Sequence, residues 1–419
     1  MTTGFEPRLA EVLDWAWTAT PPADVREKTR LLVLDTIGCV LAASRKPRLQ
    51  AWARQLALTD PGPIHVPGFA QGFSTSAAAA LFCTSACWDE ACEGLARAHG
   101  RPGVPVIAAC WALAQALDRS FDAFLDAVLA GYEAGGRLGE AVRIGPGMHV
   151  DATWPSFGAA VAVVRLAGGT PRQALDAVRS AACQMPRSLY LAAKTGAEIR
   201  NLYLSHAAQL GLLAGNGALA GLTSPEGALD ELQPVTLLGP GTWVMLEGYL
   251  KPFAAVRHAH YGAQAALDVR PALEGKIQDI STIELVTYAE ALAYCGNRAP
   301  KKPIQAQFSL SYAVAAALAT GDVGPEAYAM GDPLIDGLEA KVALAEDVAL
   351  TKAGKRGATL RVTAGGRTVE ATVDRVTGDP ALPMTRDEVL RKFRRYTGAD
   401  GQALLEAPGA TPVRELNRP

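Results

Sequence analysis

Thr359-Leu360-Arg361-Val362-Thr363-Ala364-Gly365-Gly366-Arg367-Thr368-Val369-Glu370-Ala371-Thr372-Val373 places apolar residues at alternate positions on both sides of two glycines. Leu360 and Val362 precede the glycines; Val369, Ala371 and Val373 follow them. Period two is a strand pattern, because successive side chains in a strand point to opposite faces. Gly365-Gly366 suits a two-residue hairpin turn, whose central positions need positive φ. Ile283, Leu285 and Thr287 alternate in the same way, and Ser309–Thr320 between these strands reads as a helix. Residues 269–384 are therefore expected to form a smaller α+β domain with antiparallel strands.

The chain before this region reads differently. In Pro22–Ser44, Leu31, Leu34, Ile37 and Leu41 recur at three- and four-residue steps, the period of one helix face. Pro21 and Pro22 suit a helix start, where a missing N–H costs nothing. Helical runs follow at Val106–Leu117, Phe121–Arg137, Phe157–Leu166, Pro171–Cys183 and His206–Ala220, with breaks such as Gly145-Pro146-Gly147 between them. At the far end, Thr385 and Glu388 form a capping-box pattern ahead of a helix Arg386–Tyr396. The expected architecture has two domains. A large all-α helical domain takes residues 1–268 and 385–419, and the α+β domain lies between them.

A chain of 419 residues exceeds the ~250–300 over which one core usually grows, which also favours two domains. The net charge of −2 supplies no global field, so neither nucleic acid nor an anionic membrane is an expected partner. Seven cysteines without a CxxC pair fit reduced thiols in the cytoplasm better than a disulfide framework. Cys83, Cys87 and Cys92 lie close together but read as buried packing rather than a metal site. The N-terminus lacks the apolar core of a signal peptide, and the most apolar stretches, Val104–Leu117 and Leu202–Leu222, are too short or too interrupted to span a membrane.

Four segments hold the chemistry-bearing side chains. His149 lies just ahead of the small-residue helix beginning Phe157-Gly158-Ala159-Ala160, where free N–H groups favour an anion or where an Asp or Thr simply caps a turn. Lys251 and Arg257-His258-Ala259-His260 stand at the composition change, either as an anion site between domains or as a solvated basic patch. Arg200 has the planar fork that grips a carboxylate, or is a surface charge. Asp89, Glu90, Glu93, Arg97, His99 and Arg101 crowd one stretch, as a proton-transfer set or as a charged loop.

Taken in order, these segments resemble the MmgE/PrpD family over nearly the whole chain. Leu34-Asp35-Thr36-Ile37-Gly38 resembles the family's LDTxG helix, and Gly131-Tyr132-Glu133 with Arg137-Leu138-Gly139 its GYE…RxG helix. Met148-His149 through Gly158-Ala159-Ala160 is similar to its WHPTGTxGxxGAA segment. Arg200-Asn201 with His206-Ala207-Ala208 resembles a branch with RNxYxGHAA. Lys251-Pro252-Phe253 with Arg257-His258-Ala259-His260 resembles KPYxxCRxxH, and Ala306-Gln307-Phe308-Ser309-Leu310-Ser311-Tyr312 resembles AxFSxxY.

The resemblance implies an enzyme with its site between the two domains, no metal or other cofactor, and a homodimer. The family includes 2-methylcitrate dehydratase, cis-aconitate decarboxylase and iminodisuccinate epimerase, so a lyase or isomerase acting on a di- or tricarboxylate is expected. A dehydratase on a non-standard substrate stands first, with epimerase, decarboxylase and a non-catalytic binding descendant as alternatives. Carried over by position, the catalytic set is His149 as base, with His260, His99, Asp89 and Arg101. Arg200, Arg257, Lys251, Thr153 and Tyr312 are the substrate-binding set. In the family's D-x-D-D-T…HPG segment, Cys92 and Glu93 replace Asp-Thr here, and either Arg101 or His99 stands for the histidine.

Overall fold

The computed structural model describes residues 4–273 and 275–416, and it has the two lobes expected from the pattern. In the helical lobe, helix Pro155–Leu166 is surrounded by Gly103–Ala116, Phe121–Ala141, Pro171–Cys183 and Tyr203–Leu219. Its small residues are the reason it fits. A Cβ on Gly158 would lie 2.7 Å from the Gly131 carbonyl oxygen, and one on Gly131 would lie 2.6 Å from that of Gly158. The two helices thus cross almost backbone to backbone. Gly158→Ala is expected to cost about 1–3 kcal/mol by overpacking, measurable by chemical denaturation.

Helix Ala23–Ser44 starts after Pro22 and buries Leu31, Leu34 and Ile37, while Leu41 stays partly exposed. The final helix, Arg386–Thr397, has the Thr385–Glu388 capping box and packs on Ala23–Ser44. Lys392 reaches from it to Asp35 at 2.6 Å and to the Ala91 carbonyl at 2.7 Å, tying this helix to the acidic stretch.

The smaller lobe holds a four-stranded sheet in the order Val342–Glu346, Ile280–Thr287, Ala358–Ala364, Arg367–Val373. The last two strands form the hairpin around Gly365 (φ 55°) and Gly366 (φ 79°), pairing Leu360 with Ala371 and Val362 with Val369. The sheet is mixed: Val342–Glu346 runs parallel to Ile280–Thr287. Helices Ala259–Val269 and Leu310–Thr320 pack against each other, and the first also lies on the hairpin strands. No helix among the described residues is long and apolar enough to cross a membrane.

Candidate active site at the seam of the lobes

A cavity of about 400 Å³ opens between the lobes. The helical lobe supplies Glu90, His99, Arg101, His149, Asp151 and Arg200; the smaller lobe supplies Glu290, Tyr294, Phe308 and Arg356. Tyr249, Lys251, Arg257 and His258 line it from the connecting chain.

Its floor is a buried charge cluster. Glu90 sits in a turn with φ at 52°, a left-handed conformation uncommon for a residue with a Cβ. Three cations surround its carboxylate: Arg200 at 2.7 Å, Lys251 at 2.8 Å and Arg101 at 3.1 Å. Lys251 also donates to the Glu90 carbonyl at 3.0 Å, which holds the turn. Burial by itself would raise the pKa of Glu90, but Arg101, Arg200 and Lys251 outweigh it and keep the carboxyl well below its usual range. Asp151 contacts Arg101 directly and stands 3.6 Å from Arg200, and it too is held below its usual value. The cluster is a fixed array of charges in a water-poor floor, where electrostatic interactions are strongest.

His149 lies beside this cluster. It caps the short turn Val150–Ala152, accepting the Asp151 backbone N–H at Nδ1 over 3.2 Å. An Nδ1 that accepts leaves the proton of the neutral ring on Nε2. Burial pushes the pKa down to about 4, with Arg200 and Arg101 adding to it against the opposing Asp151. Tyr190 stacks on the ring at 5.8 Å. Tyr294 meets Tyr190 at 5.7 Å and stacks on His258 at 6.3 Å, so four rings run across the seam. His258 hydrogen-bonds Tyr288 through Nδ1 at 2.6 Å, and burial followed by Arg356 lowers its pKa to about 3.

Both histidines have folded pKa values below the ordinary ~6.5, so the unfolded chain binds their protons more readily. Stability is full above pH ~6.5 and falls as the pH drops toward their folded values. By pH 5 each should have withdrawn roughly 2 kcal/mol. Urea titrations at pH 7.5 and pH 5 should show this loss; His149→Gln should remove only its own share, because burial also holds His260 well below its ordinary value. Glu90 and Asp151 keep their charge through that window and weigh in only below about pH 4.

Six of the residues expected from sequence line the cavity: His149, His99, Arg101, Arg200, Arg257 and Lys251. Both candidates for the HPG histidine position are present, with Arg101 in the floor and His99 half exposed at the rim, 3.9 Å from Glu290. Four do not reach it. His260 is buried behind the wall with both ring nitrogens engaged, Nδ1 by Arg257 at 3.2 Å and Nε2 by the Ala255 carbonyl at 3.1 Å. Its place is taken by His258, two residues earlier. Asp89 faces the other way, pairing with Lys46 at 3.4 Å beside a second cavity of about 700 Å³. Thr153 spends its hydroxyl on the Val150 carbonyl at 2.6 Å. Tyr312 donates to the Ala327 carbonyl at 3.1 Å in the core of the smaller lobe.

Glu90, Asp151, His258 and Arg356 were not assigned from sequence. Glu90 stood unassigned in the acidic stretch beside Asp89, and His258 in the same run as His260. Arg356, in the loop Lys355-Arg356-Gly357, carried no signal at all.

Residues 8–234 match the N-terminal domain model of the MmgE/PrpD family, and residues 253–403 match its C-terminal domain model. The chain belongs to the MmgE/PrpD family. Two curated MmgE/PrpD relatives are similar to it, both named cis-aconitate decarboxylase. One, from Aspergillus terreus (strain NIH 2624 / FGSC A1156), is 29% identical over 238 residues, covering 53% of this chain and 47% of the relative. The other, from Aspergillus terreus, is 28% identical over 238 residues with the same coverage. The chain thus spans about half the length of the curated relatives it matches. Kinship with these lyases is consistent with a cationic cavity between the domains.

Proposed function

We propose that the protein is a lyase or isomerase that moves a proton next to a carboxylate, first of all a dehydratase on a substrate other than 2-methylcitrate. The observation that carries this reading is the meeting of a buried neutral imidazole, His149, with Arg101 and Arg200 in one cavity. A proton α to a carboxylate is weakly acidic, so its removal demands that developing oxyanion charge be met by fixed donors in a site with little water.

His149 is the proton-transfer group. With its hydrogen on Nε2, it serves in the resting state as donor to the enolate-like oxygen or to a departing hydroxyl, and acts as base in the reverse direction. His258, across the cavity, is the base: with Nδ1 bonded to Tyr288, its Nε2 takes the α-proton while His149 protonates the enolate-like oxygen or the departing hydroxyl. Protonating a β-hydroxyl gives loss of water; returning the proton to the opposite face of carbon gives epimerisation. Decarboxylation is the second reading, favoured by the name of the two matched relatives. The family resemblance adds a homodimer, a cytoplasmic location and no cofactor to the proposal.

The test is to incubate the enzyme in D2O with methylcitrate, the aconitate isomers, iminodisuccinate and simpler carboxylates, recording deuterium at the α-carbon, water loss and CO2 release. α-Deuteration with water loss supports the dehydratase; CO2 release moves the assignment to the decarboxylase. The absence of all three with every compound would leave the binding-protein reading.

A further inference from the structure

We propose that the cavity selects a substrate with a single carboxylate, received by Arg356, and discriminates against tricarboxylates. This rests on the carboxylate reading above and adds the charge of the substrate.

The charges of the cavity are already largely spent on one another. Arg101, Arg200 and Lys251 hold Glu90, and the two arginines share Asp151 as well. Arg257 is paired with Asp379 and lies over the Tyr249 ring at 4.9 Å. On the rim, Arg97 takes Glu140 at 3.0 Å, and Arg143 is exposed, where solvent and salt screen it. The remaining cation is Arg356. Its nearest carboxylate among the described residues, that of Glu290, is 3.9 Å away, beyond a hydrogen bond.

Counting Arg101, Arg200, Lys251, Arg257 and Arg356 against the carboxylates they meet, Glu90, Asp151, Asp379 and Glu290, leaves one positive charge. One substrate carboxylate neutralises it. A second or third would be desolvated without a counterion and would face Glu90 and Asp151, and a buried charge is tolerated only when paired. In effect, Glu90 and Asp151 occupy the places that further substrate carboxylates would need.

The other features of the cavity agree with such a ligand. Leu95, Val142, Ile144, Trp154 and Phe308 make much of the remaining wall, which suits an apolar substituent. The ligand class is a hydroxylated or unsaturated monocarboxylate with an apolar remainder.

The experiment titrates the full-length protein by calorimetry with 3-hydroxybutyrate, malate and citrate, which carry one, two and three carboxylates. α-Deuteration in D2O is recorded in parallel. The expected order has 3-hydroxybutyrate tightest and citrate weakest. Arg356→Gln should weaken 3-hydroxybutyrate by roughly 10- to 100-fold, the size of a lost charge-assisted contact, with Arg356→Lys recovering part of it. Tightest binding of malate or citrate, or an unchanged affinity in Arg356→Gln, overturns the proposal. Binding in the expected order without α-deuteration upholds the charge selection and removes the proton-transfer reading instead. Binding of none of the three overturns both.

Discussion

Replacing His149 with glutamine is expected to lower α-proton exchange by roughly 100- to 10,000-fold, the usual range for losing a positioned acid–base group. Carboxylate affinity should change little, because the cations do not depend on the imidazole for their positions: Arg356, proposed to receive the carboxylate, stands by Glu290, and Arg101 and Arg200 are held by Glu90 and Asp151. The effect should therefore fall on kcat rather than KM, the pattern of a group acting in the transition state. Glutamine fills similar space and keeps an amide donor, but cannot release and regain a proton at neutral pH. Near-normal turnover in the variant would remove His149 from the chemistry.

The largest stability effect is expected at Glu90. Changing it to alanine leaves Lys251 without a carboxylate partner among the described residues, and Arg101 and Arg200 with Asp151 alone. Uncompensated buried charge of this kind costs about 3–5 kcal/mol. That is a large share of the ~5–15 kcal/mol by which domains are stable. Denaturation midpoints should fall accordingly, together with activity. The neighbouring Asp89→Asn is the contrast: it faces the second cavity and Lys46, and α-proton exchange should persist at the wild-type rate.

The lobes were legible because periodicity reports the type of element directly. The hairpin at Gly365-Gly366 follows from alternation, and three- and four-residue steps marked Ala23–Ser44 as a helix, though not its burial: every residue from Leu31 to Val40 is buried, while Leu41 is partly exposed. The parallel edge strand Val342–Glu346 was not read, since a short stretch carries no signal for its partner or direction. Within the site, ordered motifs placed His149, Arg101, Arg200, Lys251 and Arg257 in the cavity. Motif order does not say which of two near neighbours turns inward, however. Asp89 and Glu90 face different cavities, and so do His258 and His260 face different surroundings, because a one- or two-residue step reverses the direction of a side chain. Thr153 and Tyr312 were matched by position, but their hydroxyls are consumed by nearby carbonyls.

The central claim is that proton transfer next to a carboxylate takes place in the cavity between the lobes. NMR in D2O tests it most directly, by following deuterium at the α-carbon of a bound carboxylate with the wild-type protein and with Ile144→Trp. Ile144 is a partly exposed wall residue without acid–base chemistry, and the larger ring fills the space. The account predicts exchange in the wild type and its loss in a folded Ile144→Trp variant. Equal exchange in both proteins, or none in the wild type with any carboxylate, would contradict it.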